Sequence, residues 1–157
     1  MRMPAQDGSG VMLEMAGYAS LFDEADHGGD IVRRGAFAAS LARRGAAGVR
    51  MLFQHDAGEP VGVWDAITED GRGLYVRGRL MGDAPRGRAA LSLVRNGAVD
   101  GLSIGFRTRH SRPRPGGGRE LLEIDLWEVS IVTFPMLAGA RLSVLAGPGA
   151  VRARAAA

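Results

Sequence analysis

The chain has 157 residues, 46% of them hydrophobic and 24% charged, with a formal net charge of +3. That length suits one domain with a real core; no apolar run approaches the ~20 residues of a membrane span, and the polar opening over residues 1–10 does not read as a signal peptide. Cysteine is absent, which excludes disulfides, thiolate nucleophiles and cysteine-ligated metal centres, and all 20 basic residues are Arg, which excludes lysine Schiff bases and Ser–Lys dyads.

Residues 11–20 have strand composition, and a polar loop follows over 23–30. Residues 35–45 read as a short helix, with Phe37 and Leu41 on one face at i,i+4 spacing and Gly45 placed to end it. An apolar strand over 49–56 closes on His55. Two further strand-like runs, 61–68 and 74–80, flank Asp70-Gly71, a strong hairpin signal. Asp83 is placed to cap a helix that has Pro85 in its first turn and runs to Asn96-Gly97. Residues 99–106 form another buried strand. The run 112–118 is rich in Arg, Pro and Gly and is expected to be a mobile loop. Residues 120–134 are the longest strand candidate.

About six strands with two inserted helices predict an α+β fold, a mainly antiparallel sheet or barrel with peripheral helices. The domain is expected over residues 11–145, with flexible termini at 1–10 and 146–157. The charge is small and no basic run is interleaved with aromatics, so nucleic acid is not an expected partner.

Among eight serines, Ser103 stands apart. It lies in the apolar strand between Gly101 and Gly105, where valine would pack better, and the two glycines are expected to leave the backbone uncovered for another chain to approach. A hydroxyl nucleophile needs a neutral imidazole to take its proton, and that imidazole needs an orienting partner. Of the three histidines, His110 sits in an Arg-rich run and reads as solvated. His27 lies in a Gly/Asp loop whose spacing fits no calcium or zinc pattern, so no metal or cofactor is expected. His55, at the end of an apolar strand, is the candidate base, although a histidine there is more often only a boundary residue.

The long strand offers Glu123, Asp125 and Glu128 as the third group. Strict alternation puts Glu123 and Asp125 on one face with Trp127 and Val129, and Glu128 on the other with Ile124, Leu126 and Val132. An acid inside that apolar run must be paired. An arginine is the plain partner and His55 the functional one, and the residues alone leave both open.

Taken together, Gly17-Tyr18-Ala19-Ser20-Leu21-Phe22, Gly29-Asp30-Ile31-Val32, Gly35-Ala36-Phe37, Leu52-Phe53-Gln54-His55-Asp56, Pro60-Val61-Gly62, Gly101-Leu102-Ser103-Ile104-Gly105-Phe106 and the run from Leu126-Trp127-Glu128 to Thr133-Phe134-Pro135 resemble the prohead (capsid-maturation) proteases of tailed phages, whose relatives occur in prophages and gene transfer agents. The resemblance covers about residues 16–142. It implies a serine endopeptidase with a herpesvirus-protease-like fold, in which His55 is the base and Ser103 the nucleophile. The herpesvirus enzymes carry a second histidine as third member; here Glu128 holds the comparable place, with Asp125 as the fallback. They also stabilise the oxyanion with an arginine region, for which Arg141 is the only candidate between Glu128 and the tail.

The implied substrates are the scaffold protein, or the scaffolding segment of the major capsid protein, cleaved inside the assembling prohead in the cytoplasm. Self-cleavage and a homodimer are compatible with the resemblance; a membrane is not involved. Two other readings remain: a non-catalytic assembly protein retaining the fold, and a basic DNA-associated packaging factor.

Overall fold

The structure, a computed structural model, describes residues 11–145. The chain order is β1 (Met12–Leu21), β2 (Ile31–Val32), α1 (Ala38–Arg44), β3 (Arg50–Phe53), β4 (Gly62–Glu69), β5 (Gly73–Met81), α2 (Pro85–Arg95), β6 (Gly101–Pro113), β7 (Arg119–Val132) and β8 (Leu142–Val144). Alternation is cleanest in β5, where Leu74, Val76 and Leu80 are fully buried while Tyr75 and Arg77 face outward. That period of two is what lets one strand face line a core while the other meets water.

The strands form one mixed sheet in the order β2-β7-β3-β4-β5-β1-β8, with β6 also paired to β7. Only β2 and β3 run parallel to β7; the remaining pairs are antiparallel. The Leu102 N–H donates to the Ala140 carbonyl and the Leu142 N–H to the Asp100 carbonyl, both at 2.9 Å. The segment entering β8 therefore lies against the start of β6, and the strand neighbours close into a ring. Its interior holds Met15, Met51, Leu80, Leu102, Leu126 and Ile131, large apolar side chains that each contribute about 1.5–3 kcal/mol when fully buried.

The α+β class and the mainly antiparallel character stand. The sheet has eight strands rather than about six, because β2 and β8 are too short to carry a periodic pattern. Asp83 does not cap α2: the N-cap residue is Ala84, without a side-chain cap bond, and Pro85 opens the helix as expected. The run 112–118 is more ordered than expected. Strand β6 continues through Pro113 at its end, a place where the missing N–H is tolerated. The turn is closed by the Arg114 N–H on the Gly118 carbonyl at 3.0 Å, and Gly116, Gly117 and Gly118 supply three positive φ angles. The expected flexible termini lie outside the described residues. No helix among these is long and apolar enough to cross a membrane.

Candidate active site

Strands β6 and β7 set the site by their register. Ser103 pairs with Ser130 and Gly105 with Glu128, but Phe106 pairs with Leu126, so Trp127 is one extra residue on β7. Such a bulge reverses the side-chain phase beyond it. Leu126, Val129 and Ile131 consequently all reach the core, fully buried, and Glu128 turns to the opposite face with Ser130. This corrects the strict alternation, which put Glu128 beside Leu126. Cross-strand partners share a face, so Ser103, Ser130 and Glu128 lie on the same side.

Neither glycine beside Ser103 leaves open space, contrary to expectation. A Cβ on Gly105 would fall on the Glu128 carboxylate, and one on Gly101 would stand 2.6 Å from the Val132 carbonyl oxygen and 2.8 Å from Pro135 Cδ. The space is filled from within the fold.

His55 lies two residues past β3, not at its end. Gln54 and His55 both adopt left-handed backbone, with φ of 53° and 59°, an uncommon state for residues other than glycine that neighbouring contacts must hold. Those contacts come mostly from β7 and the residue just after it. The Gln54 N–H donates to the Ile131 carbonyl at 2.9 Å, Gln54 Nε2 donates to Thr133 Oγ1 at 2.6 Å, and the Thr133 N–H donates to Gln54 Oε1 at 3.2 Å. The His55 N–H donates to Ser130 Oγ at 3.1 Å. On the other side of the turn, Asp56 pairs with Arg86 of α2 at 3.1 Å.

This turn delivers the imidazole to Glu128. His55 Nδ1 is hydrogen-bonded to Glu128 Oε1, and the Ser130 hydroxyl donates to Glu128 Oε2 at 2.6 Å. The Glu128 side chain is 13% exposed and that of His55 47%. With Glu128 as a carboxylate, Nδ1 carries the proton and Nε2 is left as an acceptor. Ser103, 9% exposed, lines one cavity of about 370 Å³ together with His55, Leu102, Ile104, Phe106 and Phe134. Among the hydrogen bonds of the described residues, none joins Ser103 Oγ to His55.

The other sequence candidates are elsewhere. Asp125 accepts hydrogen bonds from Trp127 Nε1 at 2.9 Å, Arg44 Nη2 at 3.2 Å and Ser40 Oγ at 3.3 Å. The indole N–H, with Arg44 and Ser40, holds its carboxyl below the usual range, and the residue ties β7 to α1 rather than to His55. Glu123 lies 3.6 Å from His110. Arg141 donates from Nη1 to Asp100 at 2.7 Å and from Nε to the Ala138 carbonyl at 3.1 Å, and its side chain is not among those lining the cavity. The loop before β2, by contrast, borders the cavity of Ser103 and His55 through Asp26 and Asp30, and there the Asp26 carboxylate accepts the N–H groups of Gly28 and Asp30.

Sequence reasoning missed Ser130, Thr133 and Gln54. Ser130 gave a usable signal, a hydroxyl inside the apolar run Val129-Ser130-Ile131-Val132, and it is fully buried.

The family model described as Caudovirus prohead serine protease matches residues 1–150. The chain belongs to that family. It is 38% identical over 131 residues to the prohead protease of Enterobacteria phage HK97, an alignment covering 82% of this chain and 58% of that relative's length. Its fold is similar to that of the bacteriophage T4 capsid assembly protease, gp21, at TM-score 0.60 and 16% identity, covering 78% of this chain and 81% of that one. It is likewise similar to varicella-zoster virus protease, at TM-score 0.56 and 17% identity over 85% of this chain and 64% of that one. KSHV protease in complex with a hexapeptide phosphonate inhibitor gives TM-score 0.54 and 12% identity, over 87% of this chain and 66% of that one. At such identities the likeness is one of fold, and a herpesvirus-protease-like fold is what this family member has.

Proposed function

We propose that this chain is a serine endopeptidase acting during prohead maturation, with Ser103 as nucleophile, His55 as base and Glu128 as the group that orients the imidazole. The contact of His55 with Glu128, made by the histidine that lines one cavity with Ser103, carries the reading. In the first step His55 Nε2 takes the hydroxyl proton as Ser103 Oγ attacks the substrate carbonyl. The imidazolium, held by Glu128, then gives the proton to the departing amine, leaving an acyl-enzyme that water hydrolyses by the same route. Ser103 and His55 must close to about 3 Å for this, a tightening expected on substrate binding. The oxyanion is received by a backbone N–H beside Ser103 or by Arg141, which would first release Asp100.

The substrate proposed is the scaffold, or the scaffolding segment of the major capsid protein, inside the assembling prohead. The HK97 relative is named a prohead protease and the T4 structure a capsid assembly protease, which supports that choice. Co-expression with its cognate major capsid protein tests the reading: the wild-type chain shortens the capsid protein, and Ser103→Ala does not. Processing undiminished by that substitution overturns it.

A further inference from the structure

The mechanism uses Glu128 through one oxygen only, Oε1, which faces His55. Its other oxygen accepts the Ser130 hydroxyl at 2.6 Å, and the same Ser130 oxygen accepts the backbone N–H of His55 at 3.1 Å. One fully buried side chain therefore touches both the residue that orients the imidazole and the main chain that carries it. We infer that Ser130 is a positioning residue for this reaction, an inference that rests on the catalytic reading above.

A serine hydroxyl has one proton to give and two lone pairs to accept with. Here the proton is committed to Glu128 and a lone pair to His55. These two bonds act on independent degrees of freedom. The bond to Oε2 removes the rotation by which the carboxylate would swing Oε1 away from Nδ1. The bond from the His55 N–H pins the second of two consecutive left-handed residues, whose conformation sets where the imidazole starts. A hydrophobic residue at position 130 would pack this strand at least as well, since valine and isoleucine are the better strand formers; Ser130 is flanked by two of them. Packing thus does not account for the hydroxyl, whereas its two bonds do. The cross-strand pairing of Ser130 with Ser103 places this brace directly opposite the nucleophile.

A double-mutant cycle tests this with steady-state cleavage of a peptide containing the scissile bond, using the full chain. Ser130→Ala lowers kcat about 10- to 100-fold, the scale of loss expected from misplacing a catalytic group, and leaves KM within about twofold. In the Glu128→Gln background the same change costs markedly less than in the wild-type chain, because only the bond from the His55 N–H remains to be lost. Ser130→Cys, near in size but a weak donor, behaves as the alanine variant, and it serves in the cycle if Ser130→Ala fails to fold. Multiplicative losses in the two backgrounds, or an unaltered kcat for Ser130→Ala, overturn the inference and leave the catalytic reading intact. Activity retained by Ser103→Ala overturns the reading itself.

Discussion

Glu128 occupies the space that a side chain on Gly105 would take, directly across from it in the β6–β7 ladder. The glycine that looks from the sequence like an opening for a substrate is instead the seat of the carboxylate that faces His55. A Cβ at this position meets Glu128 Oε1, Cγ and Cδ, so that side chain must turn aside and give up its bonds to His55 and Ser130. Gly105→Ala should therefore lose about 100-fold in kcat, with Tm lowered less than by Gly101→Ala because a side chain, not backbone, gives way. Gly101→Ala meets the Val132 carbonyl and the Pro135 ring, neither of which can swing away, and should lose about 1–3 kcal/mol of stability. Thermal melts beside peptide-cleavage rates for the two variants separate these outcomes.

Glu128→Gln keeps the size of the side chain but removes the charge that stabilises an imidazolium and can present the wrong group to Nδ1. A loss of up to about 10⁴-fold in kcat is expected, with a folded protein. Asp125→Asn is the matching control. Its carboxylate serves Trp127, Arg44 and Ser40, so kcat should be unchanged while Tm falls slightly.

The acid response of stability follows from Glu120. The guanidinium groups of Arg112 and Arg33 hold its carboxyl at about 2, against an ordinary value of 4.5, and Arg119 holds Asp30 low in the same region. A carboxyl depressed in the folded state stabilises the fold above its unfolded value, and that stabilisation is lost as protons bind on the way down to the folded one. Tm should be flat above about pH 5 and fall between 4.5 and about 2. Glu120→Gln should make the fall shallower, as measured by melting across that range.

Much of this site was legible in the residues, and the parts that were not have a common cause. His55 and Ser103 could be chosen as candidates because an imidazole and a hydroxyl stand out chemically against apolar strands, and both line one cavity. The face of Glu128 could not be read, because it depends on an extra residue at Trp127 that has no partner on β6, and register is a property of two strands together. Ser130 and Gln54 went unread for a related reason. Their partners are Glu128, His55 and Thr133, and two of the three pairings join segments more than 70 residues apart in the chain. The hairpin at Asp70-Gly71, a wholly local feature, was readable outright.

The central claim is that Ser103 is a nucleophile activated by His55. Incubation with a peptide aryl phosphonate, followed by intact-mass and peptide mapping, tests it most directly. The serine oxygen attacks phosphorus, the P–O bond to the aryl group breaks, and the phenol leaves with the proton taken up through His55. The account predicts one adduct per chain, mapped to Ser103, absent in Ser103→Ala and strongly slowed in His55→Ala. An adduct that persists in Ser103→Ala, or a wild-type chain that never labels while it cleaves its substrate, would contradict it.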